Sequence, residues 1–273
     1  MRARRGDPAV PPQTQPSIAI SAKGDRWSVL NASPDVRDQL AAFPGLHPRP
    51  GTRDVPLDTV VLTSAELDHV LGLLVLREAL SYRILSTPWV RRALVDHNAA
   101  WRLLERAWGT AGLDVPVPLD RDGALEARFF PVASKVPPFL RDLEKPQPET
   151  TVGLRVVERD TGARLAFVPG LKRLDSATLA ELTAADCRIV DGTFFTEDEL
   201  RALRPGAPGA TAMGHVPITG PESSLATLAE LPGRTIYIHM NNTNPILDRD
   251  STEAARIRNA GVEIAIDGME LEL

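Results

Sequence analysis

The chain has 273 residues, 43% of them apolar and 25% charged, enough to bury a full core in one domain spanning residues 1–273, with 1–16 as an irregular tail. Its longest apolar runs fall far short of the roughly 20 residues that a membrane-spanning helix needs, so no membrane segment is expected. A net charge of −5 offers no basic face for phosphates, which argues against nucleic acid as a partner and favours a small-molecule or peptide substrate.

The start, "MRARRGDPAVPP", is basic but runs into prolines rather than into the apolar stretch of a secretory signal, which places the protein in the cytoplasm. "SIAIS" (17–21) and "WSVLNAS" (27–33) flank Lys23-Gly24-Asp25 in a hairpin pattern. "SPDVRDQLAAF" predicts a short helix with Ser33 as its cap and Pro34 at its first position. "DTVVLTS" is short and β-branched, the pattern of a buried strand, and a helix is expected over "DHVLGLLVLREALS" (68–81). A strand at "YRILS" and a helix from Thr87-Pro88 follow. The span 109–152, rich in proline and charge, predicts loop with one strand near "ARFFPV". Strands then recur at "GLRVVE", "RLAFVPG", "CRIVDG", "TIYIHM" and "VEIAID". They alternate with helices at "SATLAELT", "TEDELRAL", "ESSLATLAEL" and "STEAARIRNA". No internal repeat is visible. The single cysteine, Cys187, cannot form an internal disulfide and is expected to be a small core hydrophobe in its strand. Strands followed by alternating strands and helices predict an α/β chain with two central sheets covered by outer helices.

Chemistry concentrates at "VVLTSAELDHVLGLL" (60–74), where an apolar run gives way to the adjacent pair Asp68 and His69. Asp68 could simply cap the helix that follows, by accepting from free backbone N–H groups. The spacing of "LTSAELDH" matches the H-x-H-x-D-H ligand motif of metallo-β-lactamases, with Ser64 and Glu66 in the places of the first two histidines. With "NASPDVRDQLAAFP", "FVPGL", "ADCRIVDGTFF", "GHVPI" and above all "IHMNNTNPILDRDS", the chain from about Gln13 to its end resembles the pyrroloquinoline quinone (PQQ) biosynthesis protein B group of the metallo-β-lactamase superfamily. That resemblance implies an αββα sandwich. Members of the group usually open with a strand and a C-x-C-x-x-C cluster for structural zinc. This chain starts beyond that segment and has no matching cysteines, so no structural zinc site carries over.

The resemblance also divides the ligands. The set for one metal ion is broken by Ser64 and Glu66, by Lys135 near where a third histidine is expected, and by Leu171 where a bridging aspartate normally stands. The other set remains as Asp68, His69 and His239, two imidazoles and a carboxylate, the facial donor set of non-haem Fe(II) oxygen chemistry. For His239 the plainer reading is a buried histidine bonded to backbone. His215, in "MGHVPIT", is assigned to acid/base work or substrate contact ahead of a role as additional ligand, with a structural loop histidine as the plainer alternative. Asp191 either orients a ligating histidine or merely starts the turn with Gly192. Glu66 is a candidate general base, an extra ligand of the cation or a solvated rim residue, and Ser64 either supports it through a hydrogen bond or ends the strand. "NNTNP" (241–245) predicts a tight turn whose amides could also touch substrate. His47 and His97 have no constellation and are assigned to surface or packing, His97 in a helix with Asp96.

The resemblance thus implies a cytoplasmic, Fe(II)- and O2-dependent hydroxylase of the tyrosine ring in a Glu-Tyr-derived precursor, with zinc an expected contaminant of preparations. The substrate is then a small peptide-derived or dipeptide molecule, and a homodimer stays open as the assembly. Two alternatives remain at this point: a carrier of PQQ or its precursor without catalysis, and a zinc hydrolase or phosphodiesterase.

Overall fold

The structure is a computed structural model that describes residues 2–78 and 81–273. The chain forms two compact units. The first comprises Gln15–Pro131 and Lys135–Ala163, the second the N-terminal residues through Thr14, Val132–Ser134 and Arg164–Leu273.

In the first unit, β1 (Ile18–Ile20) and β2 (Trp27–Leu30) form the expected hairpin, antiparallel with Ile18 opposite Leu30. Helix α1 (Val36–Ala42) starts later than expected, with Asp35 and not Ser33 at the cap. The Ser33 hydroxyl accepts from Asp35 N (3.2 Å) and meets Gln39 Oε1 at 3.0 Å, so it organises the turn before the helix. Strand β3 (Leu57–Val61) pairs in parallel with β2 and is buried at every position, in keeping with the β-branched run Thr59-Val60-Val61 that ends it.

The expected helix over 68–81 is instead α2 (Leu67–Val70), α3 (Gly72–Val75) and a 3-10 turn at Leu76–Glu78; residues 79 and 80 of that expectation lie outside the described residues. The break has a physical cause. His69 O accepts from Ala32 N (2.7 Å) and Gly72 N donates to Ala32 O (2.9 Å), so these groups serve the neighbouring loop rather than the helix. Strand β4 (Arg83–Ser86) and helix α4 (Pro88–Val95) match expectation, with Thr87 Oγ1 accepting from Val90 N at the cap. His97 lies past the end of α4, not within a helix, and its Nε2 is 3.0 Å from Glu144 Oε1.

The expected loop of 109–152 holds more structure than its composition suggests. β5 (Trp108–Thr110) adds to β4 in parallel, completing a sheet of order β1-β2-β3-β4-β5. β6 (Val117–Pro118), β7 (Leu125–Pro131) and β8 (Val152–Glu158) form an antiparallel ribbon. β5 and β6 stay hidden in the sequence because they are only a few residues long, β6 within a proline- and charge-rich stretch. The core of this unit gathers Leu62, Ile84, Trp89, Leu94 and Leu104, all at 1% exposure or less.

In the second unit, β9 (Arg164–Val168), β10 (Cys187–Asp191), β11 (Arg234–Ile238) and the short β12 (Glu263–Ile264) run parallel in the order β9-β10-β11-β12. Between them lie α5 (Ser176–Thr183), α6 (Glu199–Leu203), α7 (Ala210–Met213), α8 (Leu225–Leu228) and α9 (Thr252–Asn259). Of these, α7 was not expected, and α6 and α8 are shorter than their apolar patterns suggest. Cys187 is fully buried in β10 as expected, and burial pushes its thiol pKa up. Residues before Thr14 carry a 3-10 turn at Ala3–Arg5 and are tied to the C-terminal segment by Arg249 N to Ala9 O (2.8 Å) and Thr14 N to Asp267 Oδ2 (2.9 Å). Among the described residues, no helix is long and apolar enough to cross a membrane.

Candidate metal centre

In the first unit, the segment after β3 is pinned before it reaches the helix. Thr63 donates through both N and Oγ1 to Asn31 Oδ1 (3.0 and 3.1 Å), and its O accepts from Val152 N (2.9 Å). Ser64 forms a β-bridge with Thr151. The chain then turns into α2, whose cap position is Glu66 rather than Asp68. Asp68 lies in the first turn, so the simple capping role is not the one it plays. Glu66 is half-buried and its N–H donates to Ser64 Oγ (3.2 Å). The same hydroxyl lies 2.7 Å from Nδ1 of His69, a side chain in a residue only 2% exposed. With Nδ1 engaged, His69 can ligate only through Nε2. Ser64, Glu66 and His69 therefore form one local cluster, in which the Ser64 hydroxyl meets both His69 Nδ1 and the Glu66 backbone N–H, with Asp68 next to His69 in the same helical turn.

Gly72 holds that cluster in place. A Cβ there would lie 2.2 Å from Ser33 O and 2.8 Å from Ala32 O, so only glycine lets the loop pass close enough for the two backbone bonds at His69 and Gly72.

In the second unit, the site residues emerge from the C-terminal ends of adjacent parallel strands, the usual position for ligands in such sheets. Asp191 ends β10 opposite Ile238, so His239 emerges immediately past the end of β11. His239 has φ = +67°, a left-handed conformation uncommon outside glycine, though less so for histidine. Gly192 permits the close approach of the two strand ends, since a Cβ there would meet Tyr237 Cβ at 2.9 Å. The "NNTN" turn clamps the loop after β10: Asn241 N donates to Thr193 O (3.0 Å), and Asn244 Nδ2 to Gly192 O (2.8 Å) and Thr193 O (3.2 Å). Glu199 reinforces the clamp by accepting from Phe195 N (2.6 Å) and Thr243 Oγ1 (2.5 Å); burial raises its carboxyl pKa despite these bonds. These asparagines thus have structural duties.

His215 follows α7 and the left-handed Gly214 (φ = +97°), and Val216 N donates to Leu171 O (2.5 Å). Asp191, His215 and His239 are brought together: each can offer one ligand atom within 4.8 Å of the others. The two imidazole rings have centroids 5.3 Å apart. Asp191 is fully enclosed. Its Oδ1 accepts from Thr193 N (3.0 Å) and Thr193 Oγ1 (2.6 Å), and its Oδ2 from Leu171 N (2.9 Å) and His215 Nδ1 (2.7 Å). A carboxylate has about four lone-pair sites, and here all four are taken. Asp191 is therefore an orienting group and not a ligand, and it does more than start a turn. Burial alone would push its carboxyl pKa up, but the nearby charge of His215, its hydrogen bond and the more distant charge of His239 outweigh it and hold the group well below the usual carboxylate range.

Leu171, in the place of a bridging aspartate, is 1% exposed and contributes its backbone N–H to Asp191 rather than a ligand. Thr193 is the residue that sequence reasoning missed. Its Oγ1 lies 2.6 Å from Asp191 Oδ1, 2.7 Å from His239 Nδ1 and 3.0 Å from His215 Nδ1. The signal was present in "DGT", where a residue two places after an aspartate commonly closes an Asx-type turn. His47 Nε2 meets Ala41 O at 3.2 Å and His97 pairs with Glu144; both are exposed surface residues, within the surface or packing role expected of them.

Residues 26–240 match the family model described as a beta-lactamase superfamily domain. The chain is 39% identical over 278 residues to coenzyme PQQ synthesis protein B of Pseudomonas paraeruginosa, covering 99% of this chain and 91% of that one. It is 40% identical over 270 residues to the protein of the same name from Methylococcus capsulatus, covering 96% and 88%. A crystal structure of zinc-bound PqqB from Methylobacterium extorquens matches with a TM-score of 0.93 at 37% identity, over 100% of this chain and 92% of that one. The short form of human tRNase Z matches at 16% identity with a TM-score of 0.60, over 95% of this chain and 92% of that one, a likeness of fold alone. The mixed α/β metallo-β-lactamase fold expected from the sequence is thereby shown.

Proposed function

The chain belongs to the coenzyme PQQ synthesis protein B family of the β-lactamase superfamily, and from that premise we propose that it acts in PQQ synthesis as a mononuclear Fe(II)- and O2-dependent hydroxylase. Its substrate in this reading is the tyrosine ring of a small, peptide-derived Glu-Tyr precursor. Asp68, His69 and His239 would hold the metal, the ligand set that the family resemblance implies.

The donor chemistry fits such an ion. His69 and His239 are each held at Nδ1 by a hydroxyl oxygen, which directs Nε2 to ligation, as metal-binding histidines are usually arranged. An Fe(II) ion with open positions supplies activation of dioxygen toward an aromatic ring. His215, its Nδ1–H bonded to Asp191, has Nε2 as the atom that takes a proton from the phenol, and the Asp191 carboxylate stabilises the imidazolium so formed. Glu66, half-buried beside the Asp68-His69 turn, is the second proton acceptor.

The single observation that carries the reading is the fate of the other ligand positions. Ser64 spends its hydroxyl on His69, and Leu171 is a buried apolar residue whose N–H serves Asp191. Hydrolysis by paired metals needs two ions about 3.5–4 Å apart, each with its own protein ligands. That counts against a zinc hydrolase. The zinc in the Methylobacterium extorquens protein is compatible with a native iron enzyme, because zinc outcompetes Fe(II) at nitrogen and oxygen donors.

Anaerobic reconstitution tests the proposal. The protein should take up about one Fe(II) per chain, and Asp68→Ala or His69→Ala should abolish uptake. Oxygen consumption should require the Glu-Tyr-derived precursor. Full iron binding in both variants would refute the ligand assignment, and tight precursor binding without oxygen uptake in the iron-loaded protein would favour a carrier.

A further inference from the structure

Thr193 Oγ1 sits at the centre of a network in which every proton can be accounted for. A threonine hydroxyl has one proton to donate and two lone pairs to accept with. Its three partners are Asp191 Oδ1 at 2.6 Å, His239 Nδ1 at 2.7 Å and His215 Nδ1 at 3.0 Å. Asp191 is a carboxylate that already accepts backbone N–H groups from Thr193 and Leu171. It has no proton to give, so the Thr193 proton must go to Oδ1. The hydroxyl is then only an acceptor toward the two imidazoles, and each of them must carry its proton on Nδ1.

For His215 this is over-determined, because Asp191 Oδ2 also accepts from the same nitrogen at 2.7 Å. His239 is different. Its Nδ1 stands 3.8 Å from Asp191 Oδ1, beyond hydrogen-bond reach, so the carboxylate acts on it through the hydroxyl. The left-handed backbone at His239 and the bond from Asn241 N to Thr193 O keep imidazole and hydroxyl in register.

We infer that Thr193 is a positioning residue: its hydroxyl connects Asp191 to His239, fixes the Nδ1–H tautomer of His239 and so presents an Nε2 lone pair for coordination. The tautomer stands on the hydrogen-bond geometry alone. Its consequence for metal affinity rests on the reading of His239 as a ligand proposed above. A hydroxyl at 193 is required and a methyl group is not, so Thr193→Ser preserves the effect while the near-isosteric Thr193→Val removes it.

The experiment uses metal-free full-length protein labelled with 15N-histidine. Two-bond 15N–1H correlation spectra distinguish protonated from unprotonated ring nitrogens, with His239→Gln assigning the resonance. In the parent and in Thr193→Ser, His239 should show a protonated Nδ1 and an unprotonated Nε2; Thr193→Val should show a mixture. A cobalt(II) titration followed by absorption should show affinity lowered about 10- to 100-fold in Thr193→Val and restored in Thr193→Ser. A parent protein with its His239 proton on Nε2 overturns the inference without any variant at residue 193, so the test survives even if Thr193→Val folds poorly. An unchanged tautomer in folded Thr193→Val overturns it as well. If the tautomer shifts but cobalt affinity ignores both Thr193→Val and His239→Ala, the positioning of the proton is upheld and the ligand reading of His239 fails.

Discussion

Replacing Gly72 by alanine sets two principles against each other. In an exposed helix the change would stabilise the protein by up to about 1 kcal/mol, since alanine loses less backbone entropy on folding. Here the new Cβ would lie 2.2 Å from Ser33 O and 2.8 Å from Ala32 O, and residues 32 and 33 are fully buried with nowhere to move. Relief requires α3 to shift away from that loop, which strains the bonds Gly72 N to Ala32 O (2.9 Å) and Ala32 N to His69 O (2.7 Å). Each bond contributes about 0.5–1.5 kcal/mol net, and forcing a methyl group into a filled site costs about 1–3 kcal/mol. After the helix gain is subtracted, Gly72→Ala should destabilise the protein by about 1–5 kcal/mol. Urea unfolding of the metal-free protein measures this directly, as a lower midpoint with an unchanged slope. A midpoint equal to or above that of the parent would show that the loop yields freely and that Gly72 does not hold His69.

Ser64→Ala should leave His69 Nδ1 without its oxygen partner, costing about 1–3 kcal/mol in stability and about 10- to 100-fold in metal affinity. Chelator competition and denaturation read the two effects separately, and an unchanged affinity would refute the orienting role. Glu199 has a carboxyl pKa raised by burial. Its folded pKa lies above the unfolded one, so the carboxyl's contribution to stability is fully present below the unfolded pKa and is lost as pH rises through the folded pKa. Glu199→Gln can still accept from Phe195 N and can donate to Thr243 Oγ1. The variant should therefore match or exceed the parent in stability at pH 7, with the difference closing toward pH 4; a variant less stable at pH 7 than at pH 4, relative to the parent, would contradict this.

The strands that carry the site were readable because each is a short apolar, often β-branched run ending in a polar residue. "CRIVDG" and "TIYIHM" gave Asp191 and His239 at strand ends, and the register of β10 with β11 brings those ends level. What the sequence hid was set by tertiary contacts. The helix over 68–81 has an unbroken apolar pattern, yet it splits because Ala32, far away in sequence, takes the backbone groups of His69 and Gly72. Strand β5 carries too few residues to show periodicity and exists by pairing with β4. The "DGT" pattern marks Thr193 as a turn residue, but not as a partner of two histidines, because that role lies in three simultaneous distances.

Ser64 and Leu171, at two positions where the family resemblance implies metal ligands, each serve the hydrogen-bond network instead. A histidine at position 64 would be a ligand in its own right; a serine there is too short to serve so and instead meets His69 Nδ1 at 2.7 Å. A carboxylate at position 171 would compete for a cation, whereas leucine contributes only its backbone N–H, which satisfies Asp191 Oδ2. Asp191, with its acceptor sites filled, serves His215 directly and His239 through Thr193. Ser64 thus meets an imidazole through its side chain, while the support that position 171 gives Asp191 comes from a backbone N–H and is independent of the leucine side chain. For the proposed reading this means too few donors for paired-metal hydrolysis, and two histidines, His69 and His239, whose Nδ1 atoms are engaged by hydroxyl groups, so that either could ligate a metal only through Nε2.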